Sequence, residues 1–260
     1  MNRRWGQLVL VSVVVAIASA LAPACVHDDS SVFIRDVLAP PISAAGGMCI
    51  YSNDPAQAFQ SEGTIDVGLT GSYVAPLLVG NQLEPTADPT QGRTETNRVT
   101  IQGAVVRLTD ASGNQLTSFT APTSATIDPL QGTTPSYSPV FVQLVDIGTV
   151  RSLAVPQGAA KQLVANIKVF GVTLGGKSVE SNEFQYPISA CNGCLVTFPM
   201  GSSSPFYSLP NCLGMNTTAA TTTACIVGQD QIIPCTECVM TNPQVCGGGA
   251  TPIADAGAGG

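Results

Sequence analysis

The chain contains few of the side chains on which most enzyme mechanisms depend. Its 260 residues include one histidine, His27, and charged residues make up only 10% of the total. Ser-His-Asp mechanisms, Cys-His mechanisms and histidine-rich metal sites all require histidine beside the other reacting groups. Because His27 lies close to the N-terminus, these mechanisms are excluded from the rest of the chain. We therefore expect a protein that is not an enzyme and that has no cofactor and no metal site.

Basic residues are also scarce. Lys and Arg number 10 against 17 Asp and Glu, so the formal net charge is −7. Nucleic acids and anionic membrane surfaces attract proteins that carry basic patches. The charge balance therefore argues against both as partners, and we expect no nucleic-acid partner.

The longest apolar run lies at the N-terminus. Arg3 and Arg4 precede Leu8–Leu21, a 14-residue stretch without a charge, and small residues follow it. This order is typical of a secretory signal peptide, which we assign to residues 1–24. A membrane-spanning helix needs roughly 20 apolar residues, so the run favours a leader that is removed after export.

The end of the run, Ala22-Pro23-Ala24-Cys25, resembles the lipobox of bacterial lipoproteins, although that family usually has leucine where Ala22 stands. The resemblance implies that Cys25 carries lipid and becomes the mature N-terminus. The polar, proline and glycine residues that follow predict a tether over residues 25–46, and docking of its segment Val32-Phe33-Ile34 as an edge strand stays open. Since Val26 is not aspartate, the resemblance also implies anchoring to the outer membrane rather than retention in the inner one. The alternative is ordinary cleavage near Ala24, with Cys25 as one more disulfide partner.

The cysteine count bears on this choice, because an exported protein with nine cysteines has one thiol left over. Lipidation of Cys25 leaves an even number, for which we expect structural disulfides in an oxidising compartment. Cys49 is expected to pair with the C-terminal region. The expected disulfide cysteines are Cys49, Cys191, Cys194, Cys212, Cys225, Cys235, Cys238 and Cys246.

Two CxxC pairs, Cys191/Cys194 and Cys235/Cys238, leave two other chemistries open. Four thiolates at such spacings can bind zinc, and either pair alone can exchange thiols and disulfides. The oxidising compartment and the four further cysteines favour structural disulfides over both. Neither pair opens a helix after a strand, which weakens the redox interpretation further.

Between residues 47 and 190 the chain alternates apolar and polar residues with a period of two. Such alternation predicts half-buried β-strands, while the 26 glycines and 19 prolines supply turns. No segment shows the 3.6-residue period of a helix. Residues that define the strands include Ile65, Leu77, Val79, Val99, Ile101, Val106, Val140, Val142, Leu163, Ile167, Phe184 and Ile188.

Three local features are expected to interrupt or connect these strands. The first strand is expected to break at Gly71 or Pro76. The apolar phase shifts across Gln102-Gly103, which predicts a β-bulge, and Asp110–Asn114 has the composition of a hairpin turn. Short strands with regular turns resemble an immunoglobulin-like or fibronectin-like module, which implies an all-β antiparallel sandwich over residues 47–190.

After residue 190 the composition changes. Residues 191–249 hold seven cysteines among Thr, Asn, Gly and Pro, which predicts a small disulfide-rich region. Residues 250–260 are nearly all Gly and Ala and are expected to be disordered. The chain as a whole resembles cysteine-rich lipoproteins of myxobacteria and related bacteria.

This resemblance implies a noncatalytic lipoprotein of the cell envelope that binds protein or glycan or has a structural role. The alternative is an envelope thiol–disulfide protein that uses one of the CxxC pairs.

Overall fold

The computed structural model of the chain describes residues 30–41, 49–197 and 224–235. The described part is mostly β-structure, with one short helix, which confirms the all-β class. The elements are β1 (Val32–Leu38), β2 (Phe59–Gln60), β3 (Gly63–Asp66), β4 (Tyr73–Asn81), β5 (Val99–Asp110), β6 (Gln115–Ile127), β7 (Ser136–Val145), α1 (Ile147–Leu153), β8 (Ala160–Thr173), β9 (Ser178–Glu180), β10 (Phe184–Cys191), β11 (Val196–Thr197) and β12 (Ile233–Pro234).

Two sheets make up the body of the fold. The first sheet has the strand order β2-β1-β4-β7, and the second has the order β3-β10-β8-β5-β6, with β9 paired to β8. Neighbouring strands in these sheets are antiparallel except β3 and β10, which are parallel. A further small pair, β11 and β12, is also parallel.

Both sheets contribute side chains to one hydrophobic core. Leu77 and Val142 come from the first sheet, and Ile101 and Ile167 come from the second; all four are fully buried. The alternation in the sequence accounts for this core, because every second side chain of a strand points to the same face.

The sequence predicted two local features of the second sheet correctly. The register of β5 shifts between Ile101 and Gly103 against both of its neighbours, which is the expected bulge. A Cβ atom at Gly103 would lie 2.6 Å from the ring of Phe170, so only glycine fits there. In the β5–β6 hairpin, the Asp110 carboxylate accepts hydrogen bonds from the backbone N–H groups of Ser112 and Asn114 at 2.8 and 2.9 Å.

The chain does break between β3 and β4, in the segment that contains Gly71. Pro76 does not interrupt β4, where it is paired with Phe141 of β7. The helix α1 was not expected. It is only seven residues long, too short to show a helical period, and the Asp146 side chain caps it by accepting a hydrogen bond from the Thr149 N–H at 2.6 Å.

The tether predicted over residues 25–46 needs correction. Val32–Leu38 is strand β1, which lies between β2 and β4 in the first sheet. Val32, Val37 and Leu38 are fully buried. These apolar residues outweigh the polar Arg35-Asp36 pair, which lies where the register of β1 shifts against β4. The signal peptide, Cys25 and the C-terminal tail lie outside the described residues.

No helix among the described residues has the length and apolar character needed to cross a bilayer.

Candidate functional site

Two disulfides lie at one end of the body. Cys49, expected to pair with the C-terminal region, is bonded to Cys225 across a sequence separation of 176 residues. The Cys191/Cys194 pair is closed on itself. Cys235 is disulfide-bonded as well. Cys25, Cys212, Cys238 and Cys246 lie outside the described residues, so their predicted roles stay predictions.

Asp66, the last residue of β3, organises the loop that contains the Cys191–Cys194 bond. Its carboxylate is fully buried. One oxygen, Oδ1, accepts hydrogen bonds from the N–H groups of Gly68 at 3.0 Å and Gly193 at 2.9 Å. The other, Oδ2, accepts from the Leu195 N–H at 3.0 Å. These bonds compensate the cost of burying the carboxylate and fix the loop on the end of β3.

The two sulfur atoms of this bond differ in their surroundings. Cys191 is 3% exposed, whereas Cys194 is exposed to solvent. Both sulfurs and a carboxylate oxygen of Asp66 lie within 4.8 Å of one another. Because metal binding by cysteine requires a free thiolate, the bonded pair is not a zinc site in this state. Of the two cysteines, Cys194 is the one that is open to an external thiol.

Residues 225–231 form a second feature of this end, which we call the clasp because it contacts both sheets. Gln229 pairs with Ile65 of β3 in the second sheet. Its side-chain amide reaches Val74 of β4 in the first sheet, accepting from the N–H at 2.9 Å and donating to the carbonyl at 2.8 Å. A single glutamine thereby takes the place of a strand partner for Val74.

Asp230 adds a second link between the sheets. Its backbone has φ 58°, in the left-handed region, which aspartate tolerates better than most residues. Its carboxylate accepts from the Thr64 N–H of β3 at 2.7 Å, from the Tyr73 hydroxyl of β4 at 2.9 Å and from the Gln60 amide at 3.0 Å. One side chain therefore joins β2, β3 and β4.

The Tyr73 hydroxyl also lies 3.2 Å from the hydroxyl of Tyr186, and both rings are almost completely buried. Burial raises the pKa of Tyr73 far above its ordinary value, and the nearby Asp230 charge raises it further. Burial likewise raises the pKa of Tyr186, partly opposed by its hydrogen bond with Tyr73. Neither phenol can lose its proton near neutral pH, so the pair serves as hydrogen-bonding structure and not as a general base.

Sequence reasoning missed Asp66, Gln229 and Asp230. Asp66 occurs within an alternating strand, where a polar residue is expected to face solvent. Gly228-Gln229-Asp230 has the composition of an exposed turn. Nothing in their local sequence distinguishes them, because their partners are up to 170 residues away.

A polar cleft of about 510 Å³ lies elsewhere on the body. Hydroxyl and amide groups predominate in its lining. The Asp128 carboxylate accepts from the Arg98 Nε–H at 2.6 Å, and Arg35 donates to the Tyr137 hydroxyl at 3.2 Å. Lining residues include Asn53, Thr126, Asp128, Gln131, Thr134 and Tyr137.

Glu180 and Glu183 lie three residues apart but form ion pairs with different basic side chains. Glu180 lies 3.4 Å from Lys168, and Glu183 lies 3.0 Å from Arg107. All four side chains are well exposed to solvent. They form surface ion pairs, which contribute little to stability, and do not form an acid–base couple.

Comparison of the chain with protein-family models, with curated proteins and with solved structures finds no match.

Proposed function

We propose that this chain is a noncatalytic, lipid-anchored protein of the bacterial envelope, exposed on the outer membrane as a binding or structural module. The observation that carries the proposal is the use of the buried polar groups at the disulfide end. Asp66, Asp230 and Gln229 hold chain segments together through hydrogen bonds to backbone groups. Such groups stabilise a fold by satisfying buried backbone donors and acceptors.

The anchor in this proposal is Cys25, at the end of the apolar run and small residues. Since β1 begins at Val32, only seven residue steps separate the lipid from the body. A fully extended chain advances at most about 3.5 Å per residue, so this connection reaches about 25 Å at its longest. The body would therefore lie against the bilayer surface instead of being held away from it by a long flexible tether.

Cys25→Ser tests the anchor. We expect the variant to leave the membrane fraction after a carbonate wash, while the wild-type protein stays. If Cys25 is instead a disulfide partner, the variant and the wild type fractionate alike and the variant carries one new free thiol. Intact mass of the wild-type N-terminal peptide provides the control, because a lipidated cysteine is heavier by the mass of its acyl chains.

The shape proposed for the module is an immunoglobulin-like or fibronectin-like sandwich. Two observations support it: the two sheets share one hydrophobic core, and most neighbouring strands are antiparallel. The parallel β3–β10 pair is a departure from that arrangement. A measured structure of the body tests this proposal, and strands of the two sheets crossing near a right angle would contradict it.

For the binding role we favour a neutral glycan at the polar cleft. Hydroxyl and amide groups match the hydrogen-bonding groups of sugars, and the one carboxylate, Asp128, is paired with Arg98. The test is calorimetry with neutral oligosaccharides, using wild type, a double variant Asn53→Ala/Gln131→Ala, and Ser112→Ala as a control outside the cleft. We expect binding that only the double variant loses. No binding by the wild type would exclude this ligand class.

A second candidate function is thiol–disulfide exchange through Cys191 and Cys194. The observation in its favour is the exposed position of Cys194 in a closed CxxC loop. An exchanging protein with Cys191→Ser would hold its partner in a mixed disulfide through Cys194. We expect no such complex when envelope proteins are separated without reductant, and its appearance would favour this second function over the first.

A further inference from the structure

We propose that the Asp66 carboxylate slows reductive opening of the Cys191–Cys194 disulfide, and that external thiols attack this disulfide at the Cys194 sulfur. The reaction concerned is thiol–disulfide exchange with a dithiol, either a small molecule or a protein. The proposal goes beyond the binding module described above. It depends neither on lipidation of Cys25 nor on glycan binding, so its failure leaves both of those untouched.

The first step of the argument is charge. A carboxylate oxygen of Asp66 lies within 4.8 Å of both sulfurs. Opening the disulfide produces a thiolate at one of them, so two negative charges would then lie side by side at a partly desolvated position. At that separation, and with the screening found near protein surfaces, the repulsion disfavours the thiolate by about tenfold to a hundredfold. The disulfide itself carries no charge and has no such penalty.

The second step is the direction of attack. The attacking thiolate approaches the exposed Cys194 Sγ and forms a mixed disulfide. The Cys191–Cys194 bond breaks, and its electron pair goes to Cys191 Sγ, which leaves as a thiolate and then takes a proton from solvent. The second thiol of the reagent attacks the mixed disulfide, loses its proton and releases Cys194. The reagent is oxidised to a disulfide, and the cysteine pair is reduced by two electrons.

The sulfur that leaves in this reaction, Cys191 Sγ, lies where a thiolate is poorly stabilised. Cys191 is 3% exposed, so little water can stabilise its thiolate beside Asp66. A leaving thiol that resists ionisation leaves slowly, so reductive opening of the disulfide through Cys194 is slow.

The third step is the loop itself, which is held by more than the covalent bond. Asp66 binds the N–H groups of Gly193 and Leu195 on either side of Cys194. The Asn192 amide donates to the Val155 carbonyl at 3.0 Å. The Cys191 carbonyl accepts from the Val67 N–H at 2.8 Å. After reduction these hydrogen bonds hold the two sulfurs close together, so the disulfide can form again without a rearrangement of the loop.

The experiment uses the full chain and its Asp66→Asn variant, incubated with one fixed concentration of dithiothreitol at pH 7 and sampled over time. Differential alkylation and mass spectrometry measure the reduced fraction of Cys191 and Cys194. Asparagine has the same shape but no charge, and its single acceptor oxygen cannot serve all the backbone N–H groups that the carboxylate binds. We expect reduction to be about tenfold faster in the variant. The Cys49–Cys225 bond in the same sample is the internal control and should respond alike in both proteins.

An unchanged or lower rate of reduction in Asp66→Asn would overturn the charge argument. If this variant does not fold, the same argument is tested in reduced wild type by the rate at which iodoacetamide alkylates Cys194 at pH 7. We expect a rate about tenfold lower than for cysteine in a short unstructured peptide. An equal or higher rate would overturn the proposal.

The loop argument has its own test in the variant Cys191→Ser/Cys194→Ser, which lacks the bond but keeps Asp66. We expect the Gly193 and Leu195 amide protons to exchange slowly with solvent in this variant, as in the wild type. Exchange as fast as in an open loop would show that the bond alone holds the loop, and the part of the proposal on reclosure would be wrong.

Discussion

The body and the clasp are held by opposite kinds of interaction. Each strand of the body buries several apolar side chains, such as Leu77 and Ile101, and the loss of one contact leaves many others in place. The clasp, residues 225–231, is too short to bury a core of its own. It is fixed by one disulfide, by Gln229 and by Asp230, and each of these has a different partner.

This difference has a consequence for how the two regions respond to damage. Hydrophobic burial is non-directional, so a core can relax around a missing methyl group. A buried hydrogen bond is directional, and removing one partner leaves the other without a substitute. We therefore expect the loss of one hydrogen bond in the clasp to release it locally, whereas removal of its disulfide or of a core side chain lowers the stability of the whole body.

The largest expected effect is removal of the Cys49–Cys225 bond in Cys49→Ser/Cys225→Ser. The bond closes a loop with a sequence separation of 176 residues. In the chain-entropy model a loop of this length contributes about 5 kcal/mol to the free energy of unfolding. Urea denaturation measures the loss, and the matched control is Cys191→Ser/Cys194→Ser, whose separation of 3 residues predicts a loss of only about 2 kcal/mol. Equal losses would contradict the comparison between the two bridges.

The next largest effect is expected for the variant Asp230→Ala. It leaves the Thr64 N–H without an acceptor and the buried Tyr73 hydroxyl with only the Tyr186 oxygen as an acceptor, and it places alanine in the left-handed region. We expect this variant to lose about 3 kcal/mol of the free energy of unfolding. The control is Asp230→Asn, which keeps an acceptor oxygen and tolerates this backbone conformation, and which should lose clearly less.

The location of the effect distinguishes the clasp from the body. In Asp230→Ala, hydrogen exchange should accelerate in the clasp and at Thr64 while the centre of β8 stays protected. In Leu77→Ala, which leaves a cavity in the core, exchange should accelerate throughout both sheets. Uniform acceleration in both variants would show that the clasp and the body unfold as one unit.

A smaller loss is expected for Gln229→Ala, which deprives both backbone groups of Val74 of their partner. The expected loss is about 1–2 kcal/mol, since water reaches part of this edge once the side chain is gone. Gln229→Glu separates the two hydrogen bonds, because it keeps the acceptor for the Val74 N–H but cannot donate to the Val74 carbonyl. This variant should have a lower free energy of unfolding than the wild type at neutral pH, and the difference should shrink at low pH as the new carboxyl is protonated. No such recovery would mean that the donated hydrogen bond is unimportant.

The same contrast explains which features could be predicted from the sequence. Core strands such as β5 and β8 follow from alternation, and the bulge at Gly103 follows from a shift of phase, because both are local patterns. The hydrogen bonds of Asp66 and Asp230, and the parallel pairing of β3 with β10, depend on residues that meet only after folding. Strand β1 is hard to recognise in the sequence, because prolines and polar residues surround a seven-residue strand of which only four residues are buried.

The smallest effect concerns the one buried polar atom of the described residues that has no hydrogen-bond partner, Asp36 Oδ1 in β1. Burial raises the pKa of Asp36, although the nearby Arg35 opposes this shift. Because the folded state binds the proton more tightly than the unfolded state, the stability lost at neutral pH is recovered as the pH falls through the raised pKa.

Asp36→Asn therefore should increase stability at pH 7, by about 0.5 kcal/mol because the group is partly solvated. Asparagine removes the charge from a position where burial opposes it, and it keeps polar atoms for the solvent-facing side of the group. Urea denaturation at pH 7 and pH 3.5 measures the gain, which should shrink at the lower pH, where the wild-type carboxyl is protonated. Arg35→Gln is the control and should destabilise at pH 7, because it removes the cation 3.4 Å from Asp36. A loss of stability in Asp36→Asn at neutral pH would show that the ion pair with Arg35 outweighs burial. The body would then depend on a polar contact in the same way as the clasp.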